Sequence, residues 1–530
     1  VSIQIQFCGA AGTVTGSCFW ISTPTQQFLI DCGMFQGSKS VKELNYGDFP
    51  FHPENIDFVL LTHAHIDHSG LLPKLTKHGF KGVIHTTSGT RDLLSYMLPD
   101  SAHIQETEVE RLNARNRRRG KVVVEPIYTA DDVESCLEKI ETVPYEGWLE
   151  LGGVRARFWN AGHILGSASI EVEIDTDDAD GNSLRLLFSG DIGPEHKAFH
   201  PDPTAPSGID YLICEATYGG RKRDNLDTAQ RRSLLANEIN ACLGGGGSLV
   251  IPSFAVERTQ ELLDDLAHLI HGKDIPNAPV FIDSPLAIRV TSVFAQHADK
   301  LEDVSSHSDP FDHPSFHFTE TVEESKSIAR FSHGAIILAA SGMCDAGRIR
   351  HHLKNHLWRP QSTILLVGYQ VEGTLGRLLQ RGVKKVKIQG EDIAVKASIR
   401  TLDTYSGHAD EDELIDWVSD RLPIRQAALL IHGGTEALAA MRDRLVATGL
   451  DTNAVIIPKL DDRFEVASDG LHLVSRSTAR RLDPKVIDKP DWHNDFAQLS
   501  LDIRDALDAV ATDKQRAVIL RRLKRVLKDE

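Results

Sequence analysis

Cysteine is scarce and scattered: seven in 530 residues, at Cys8, Cys18, Cys32, Cys136, Cys214, Cys242 and Cys344. The count is odd and no two are spaced as CxxC. That argues against a disulfide framework or a cysteine zinc site and leads us to expect a reducing, cytoplasmic setting. Long apolar runs are missing as well. None approaches the roughly 18–20 residues of a membrane helix, so no membrane is expected among the partners. Val1-Ser2-Ile3-Gln4 reads straight into a strand, without the basic start and apolar stretch of a secretory signal. Positive charge is in deficit: 58 Lys and Arg against 75 Asp and Glu give a net charge of −17. A uniformly basic nucleic-acid binder is thereby excluded, and any polyanion would need a local basic groove or metal ions. Internal repeats and low-complexity segments are absent. What the chain does have is 24 histidines, and their positions carry the functional reading.

A chain of this length is expected to form two or three domains. Up to about residue 209, strand patterns at 3–8, 17–22, 27–31, 56–62, 154–161, 168–174 and 184–189 alternate with helical patterns at 71–78, 90–116 and 131–140. From about residue 210 apolar strands lead directly into helices, at 211–215, 248–254, 280–283, 335–340 and 363–369. Strand–turn–helix units in series argue for a parallel sheet. The strand-rich style returns near residue 386, so the second domain reads as inserted into the first. Beyond residue 482 a proline-containing linker leads to helical stretches at 495–511 and 514–528. The second reads as an amphipathic helix packed on its neighbour with a solvated basic face; an RNA-binding or self-association hairpin is the alternative.

The strongest pattern is His63-Ala64-His65-Ile66-Asp67-His68, directly after the apolar run 56–62. At strand spacing His63 and His65 point to one side and can grip a single ion. The turn that follows brings Asp67 and His68 to a second position close by. Imidazole with carboxylate suits zinc first, with manganese or iron as alternatives. Three further positions end an apolar strand with a ligand-type side chain beside glycine: His163 in Asn160-Ala161-Gly162-His163, Asp191 in Ser189-Gly190-Asp191, and His432 in Ile431-His432-Gly433.

In this order, HAHIDH, AGHILGS, SGD and LIHGG resemble the metallo-β-lactamase fold. Cys214-Glu215-Ala216-Thr217-Tyr218-Gly219, Ser406-Gly407-His408-Ala409-Asp410 and Leu430-Ile431-His432-Gly433 are similar to motifs A, B and C of the β-CASP nucleases. That group contains the mRNA 3′-end cleavage endonuclease subunit and its bacterial and archaeal relatives. The resemblance covers residues 7–458 and implies an α/β fold: a metallo-β-lactamase αββα sandwich (1–209 and 386–482), an inserted parallel α/β β-CASP domain (210–385) and a C-terminal helical tail (483–530). It implies that His63, His65 and His163 bind one metal, that Asp67, His68 and His432 bind a second, and that Asp191 bridges them. Asp31 corresponds to an aspartate that orients ligands from behind. Two departures stand out: Gly434 where an acidic residue is usual, and Glu257 where relatives often have glycine.

The resemblance also implies the chemistry. Two zinc ions, or manganese in their place, would stabilise phosphate charge and activate a water, giving a ribonuclease that cleaves single-stranded RNA internally or from the 5′ end. Asp67, His408 and Glu215 are the residues expected in catalysis, His408 protonating the departing oxygen and Glu215 holding its ring. Ser253, Arg258 and the turn Ser341-Gly342-Met343 are expected to contact substrate phosphates. The basic runs at 115–121, 221–223 and 384–387 are candidates to line the approach. A DNA nuclease, another hydrolase of this fold, or a non-catalytic RNA-binding scaffold are the competing readings. His432 and the full ligand set favour the ribonuclease. A homodimer is left open.

Overall fold

Two-residue periodicity sorts the apolar side chains into three layers of core. The computed structural model describes residues 3–37, 39–176, 183–223, 226–302, 311–331, 333–370, 374–475 and 481, then 503, 506–507, 509–510 and 512–526. Along strands Gln27–Ile30 and Phe58–Leu60, the residues Phe28, Ile30, Phe58 and Leu60 face a second sheet, whereas Leu29 and Val59 face helices. Strands Ser183–Phe188, Tyr211–Glu215 and Ala427–Ile431 mirror this. Leu186, Phe188, Ile213 and Leu429 point to the first sheet, while Leu187, Leu212, Cys214 and Leu430 point to helices Glu411–Ser419 and Thr435–Ala447. An αββα sandwich follows from this alternation.

The first sheet runs in the order Gly470–Ser475, Arg463–Ala467, Ile3–Phe7, Phe19–Ser22, Gln27–Ile30, Phe58–Leu60, Val83–Thr86, Ile140–Thr142. The second runs Val455–Ile456, Ala427–Ile431, Tyr211–Glu215, Ser183–Phe188, Ala168–Asp175, Val154–Asn160, Trp148–Glu150. A third, wholly parallel sheet orders Phe316–Phe318, Val280–Ile282, Ile336–Ala339, Leu249–Pro252, Thr363–Val367 and Ser398–Leu402. Its helices include Arg258–Gly272 and Pro285–Gln296. A hairpin, Lys385–Ile388 with Glu391–Ala394, stands apart.

Two strands lie in other sheets than their local rhythm suggests. Tyr211–Glu215, read as the opening of the inserted domain, pairs in parallel with Ser183–Phe188 and Ala427–Ile431 and is an inner strand of the sandwich. Ser398–Leu402, read as part of the sandwich's return, pairs with Thr363–Val367 in the third sheet. A strand–helix rhythm carries no information about which strand pairs with which, and for Tyr211–Glu215 one partner, Ala427–Ile431, lies beyond the whole insertion. Helix Thr228–Gly244 and strands Val83–Thr86 and Arg463–Ala467 were also not anticipated.

The helical stretch expected at 495–511 falls largely outside the described residues. Helix Asp513–Val526 forms where expected; none of its residues is fully buried, Ile519 and Leu523 are half-buried, and the stretch expected to pack against it lies largely outside the described residues. No helix among them is long and apolar enough to cross a membrane.

One close approach ties the strand ends together. Ser17 N–H donates to the Asp67 carbonyl and Gly33 N–H to the Ser17 carbonyl, both at 2.8 Å. A Cβ on Gly33 would sit 1.7 Å from that Asp67 oxygen. Gly33→Ala is therefore expected to lose about 1–3 kcal/mol of stability by overpacking, read as a lower midpoint of thermal unfolding; an unchanged midpoint would contradict this packing.

Candidate metal centre

Six strands deliver side chains to one edge of the sandwich. Asp31 follows Gln27–Ile30, His63 follows Phe58–Leu60, His163 follows Val154–Asn160, Asp191 follows Ser183–Phe188, Glu215 ends its strand and His432 follows Ala427–Ile431. The strand before His63 stops at Leu60, two residues short of expectation, because the Thr62 N–H donates to Asp31 Oδ1 (2.8 Å) rather than to a neighbouring strand. His63 and His65 thus meet through a loop and not through strand alternation. Asp31 (φ 58°) and His432 (φ 50°) occupy the left-handed region without being glycine, a strain typical of functional strand ends. The His432 N–H is pinned by the Ala10 carbonyl at 2.7 Å.

The ligand-type atoms form two sets that share Asp191. In the first, His65 Nδ1 lies 3.1 Å from both His63 Nε2 and His163 Nε2. Asp191 Oδ2 lies 3.5 Å from His63 Nε2 and 3.6 Å from His163 Nε2. Donors about 2.0–2.1 Å from a tetrahedral zinc stand about 3.3–3.4 Å from one another, so these spacings match the edges of a coordination tetrahedron. In the second set, His68 Nε2 and His432 Nε2 are 3.1 Å apart, and Asp67 Oδ2 is 3.6 Å from His432 Nε2. Here Asp191 turns its other oxygen: Oδ1 is 3.2 Å from His68 Nε2 and 3.7 Å from His432 Nε2. Asp191 Oδ1 is buried and makes no hydrogen bond. A buried anionic oxygen without a donor calls for a cation, and the donor set fits a divalent one.

A surrounding layer fixes the rings. Asp31 Oδ2 is 2.7 Å from His68 Nδ1 and accepts from the hydroxyls of Thr62 (3.0 Å) and Ser17 (3.3 Å). His63 Nδ1 meets Thr62 Oγ1 and His432 Nδ1 meets Thr217 Oγ1, each at 3.0 Å. His163 Nδ1 is 2.5 Å from the Gly407 carbonyl. In each case the occupied nitrogen aims the other into the cluster. Asp31 was legible in advance, whereas Thr62, Thr217 and the Gly407 carbonyl were not, since a threonine or a carbonyl carries no signal until folding brings its imidazole to it.

Burial holds His63 and His163 well below the ordinary histidine pKa and takes His65 down to about 4. All three are neutral at pH 7 and ready to donate lone pairs. For His68 and His432 burial works the same way but is outweighed. Asp191 and Asp31 carry His68 well above its usual value, and Asp191 and Asp67 raise His432. Burial likewise opposes the charge on Asp191, yet His432 and His68 lead the groups that keep it well below the usual carboxylate range. An entering cation therefore competes with protons for His68 and His432, so its affinity falls as pH falls.

His408 borders this cluster from the solvent side, its side chain 20% exposed. Its Nε2 is 3.9 Å from Asp191 Oδ2, and its Nδ1 is 3.2 Å from Glu215 Oε1. Glu215 is in turn held by the N–H groups of Ile192 (2.6 Å) and Thr217 (3.2 Å). The expected substrate contacts are less uniform. Ser253 is buried with its hydroxyl engaged by Phe254 O and Thr259 Oγ1. Ser341 closes a local turn with Ala346, and the Gly342 and Met343 carbonyls accept from Gln370 Nε2 and the Gly376 N–H. The helix that follows begins only at Ile349, so that turn is not a helix N-terminus. Arg258 donates to the Tyr405 carbonyl through Nε at 2.8 Å and keeps a buried Nη1 without a partner. The basic run 221–223 is paired residue by residue with Asp403, Asp412 and Glu413. Not foreseen was an aromatic row: the Tyr218 ring is 5.7 Å from His408 and 6.3 Å from the exposed Tyr369, with Arg221 over both tyrosines.

The sequence matches three family models: the metallo-beta-lactamase superfamily over residues 11–267, the Beta-Casp domain over 259–379, and the Zn-dependent metallo-hydrolase RNA specificity domain over 392–458. Ribonuclease TTHA0252 of Thermus thermophilus is 36% identical over 450 residues, covering 84% of this chain and 96% of that protein. Transcription termination factor FttA of Methanosarcina mazei is 30% identical, covering 82% and 67% respectively. Its counterpart from Thermococcus kodakarensis is 29% identical, covering 81% and 66%. The chain thus spans about two thirds of these archaeal relatives.

A donor cluster of this kind stabilises the fold only when filled. Adding zinc or manganese to chelator-stripped protein at a hundred times its dissociation constant should raise the unfolding free energy by about 2.7 kcal/mol, read as a higher unfolding temperature, whereas calcium, which prefers all-oxygen sites, should do far less. A midpoint indifferent to zinc and manganese would remove the metal.

Proposed function

The chain belongs to the metallo-beta-lactamase superfamily and carries its Beta-Casp domain, and on that premise we propose that it is a metal-dependent ribonuclease hydrolysing phosphodiester bonds of single-stranded RNA. The observation that carries the reading is the sharing of Asp191, one oxygen toward each donor set, with the His408–Glu215 pair beside it. His63, His65 and His163 would hold one ion, Asp67, His68 and His432 the other, and Asp191 both, with zinc the first choice and manganese the alternative. When bound, two such ions stabilise the charge on a phosphate and make a water acidic near neutral pH.

The remaining steps belong to the chain. Neutral His63, His65 and His163 bring no charge, so Asp67 and Asp191 supply the anionic ligands. His408, at the solvent side of the cluster, is suited to give its Nε2 proton to the departing sugar oxygen, and Glu215 Oε1 at Nδ1 fixes the orientation of its ring. Arg258, with its unpaired Nη1, is the cation suited to a phosphate, and the exposed rings of Tyr369 and Phe254 suit stacking of unpaired bases. The match to an RNA specificity domain and the relative named a ribonuclease support RNA over DNA. All seven cysteines are free, which suits a reducing cytoplasm.

The test separates the acid from the metal. His408→Ala should keep its metal content and RNA affinity while the cleavage rate of end-labelled RNA falls by roughly 10²–10⁴-fold. The deficit should shrink on a substrate whose departing oxygen is replaced by sulfur, which needs no proton. Equal deficits on both substrates would take His408 out of proton transfer; loss of metal would make it a ligand; and an inert wild-type protein with its metal restored would sink the ribonuclease reading.

A further inference from the structure

A buried carboxylate from the inserted domain reaches the loops that carry His163 and Asp191. Glu257 stands just before helix Arg258–Gly272 with φ 69° and ψ −66°, a conformation at ease only for glycine. It is also 4% exposed, so it is both strained and desolvated. Its two oxygens are fully used. Oε1 is 2.7 Å from His200 Nε2 and 3.4 Å from Lys197 Nζ, and Oε2 accepts the Leu165 N–H at 3.3 Å. Lys197 Nζ in turn donates to the carbonyl oxygen of His163. Lys197 and His200 follow Asp191 on one segment, and Leu165 follows His163 on another. A single side chain therefore grips the loops of two members of the first donor set.

Charge explains why this residue is the anchor. Glu261, one turn along the helix, faces the same lysine, but burial pushes its carboxyl up to about 7. Burial opposes charge on Glu257 too, yet His200 and Lys197 keep it below the usual glutamate value. Glu257 is thus the anion matched to Lys197. The rest of the His163 loop is fixed elsewhere: Ser167 Oγ accepts the N–H groups of His163 and Ile164, and the Gly166 carbonyl accepts from Thr87 and Thr90. What Lys197 and Glu257 add is a hold on the His163 carbonyl and the Leu165 N–H, the backbone from which the imidazole projects.

We propose that Glu257 is a positioning residue for His163. By keeping Lys197 on the His163 carbonyl and the Leu165 N–H on its own Oε2, it sets from the inserted domain the metal affinity of the site formed by His63, His65, His163 and Asp191. The proposal rests on the ligand assignment made under Proposed function.

The test uses the full chain and zinc itself, by chelator competition on stripped protein, beside thermal unfolding and RNA cleavage. The double variant Glu257→Gly with Lys197→Met removes the charge pair and the left-handed strain together, and replacing a buried pair by apolar groups commonly leaves stability unharmed. It should unfold within a few degrees of wild type yet bind zinc about 10–100-fold more weakly, the usual cost of losing a partner behind a ligand. Its kcat should fall with KM for RNA unchanged. Glu257→Gln, which keeps an acceptor for Leu165 and loses only the charge, should lie between. A folded double variant whose zinc affinity stays within about threefold of wild type would overturn the proposal. If that variant does not fold, Glu257→Gln decides in the same terms: weakened zinc binding supports the proposal, unchanged binding overturns it. Wild-type protein that binds no zinc would instead overturn the ligand assignment, and this proposal with it.

Discussion

A buried carboxylate must find positive charge, and the groups around Asp191 are mainly imidazoles, with the Glu215 carboxylate also close by. The Asp191 oxygens lie 3.2–3.7 Å from nitrogens of His63, His68, His163 and His432, and one of them has no hydrogen bond at all. Such a group needs positive charge beside it, which protons on the neighbouring imidazoles or entering cations can supply. The neutral histidines of one set and the carboxylates of both then make sense together. The tilt of each ring, the left-handed backbone at Asp31 and His432, and the glycines against the turns all serve to bring donors to this carboxylate.

The centre is not the property of the sandwich alone. The ring of His163 is held by the Gly407 carbonyl, which stands on the loop after the last strand of the third sheet. The preceding residue but one, Tyr405, accepts from Arg258 through its carbonyl and donates from its hydroxyl to Asp265 at 2.7 Å, both on helix Arg258–Gly272. The same helix start carries Glu257. The inserted domain therefore supplies backbone and charge that hold members of the donor cluster. An insertion that only roofed the substrate would not need buried ion pairs at its root.

The donor cluster was legible because its signals are local. HAHIDH, GHILG, SGD and IHGG each place a ligand-type side chain at or just past a strand end, and the structure gathers all seven side chains into one cluster. What is nonlocal was not legible. The sheet membership of Tyr211–Glu215 depends on Ala427–Ile431, beyond the whole insertion, and that of Ser398–Leu402 on a pairing with Thr363–Val367 that no rhythm marks. The turn at Ser341-Gly342-Met343 looked like the mouth of a helix because strand and helix patterns flank it, but the helix starts later. Glu257 was visible as an oddity, while its meaning lay in Lys197 and His200, side chains with no motif of their own.

The central claim is that one carboxylate serves two cations. Anomalous diffraction at the zinc edge, from crystals grown with zinc, tests it most directly. The account predicts two peaks per chain, one among His63, His65 and His163 and the other among Asp67, His68 and His432, with Asp191 presenting a different oxygen to each. A single peak, or two peaks of which Asp191 contacts only one, would contradict it.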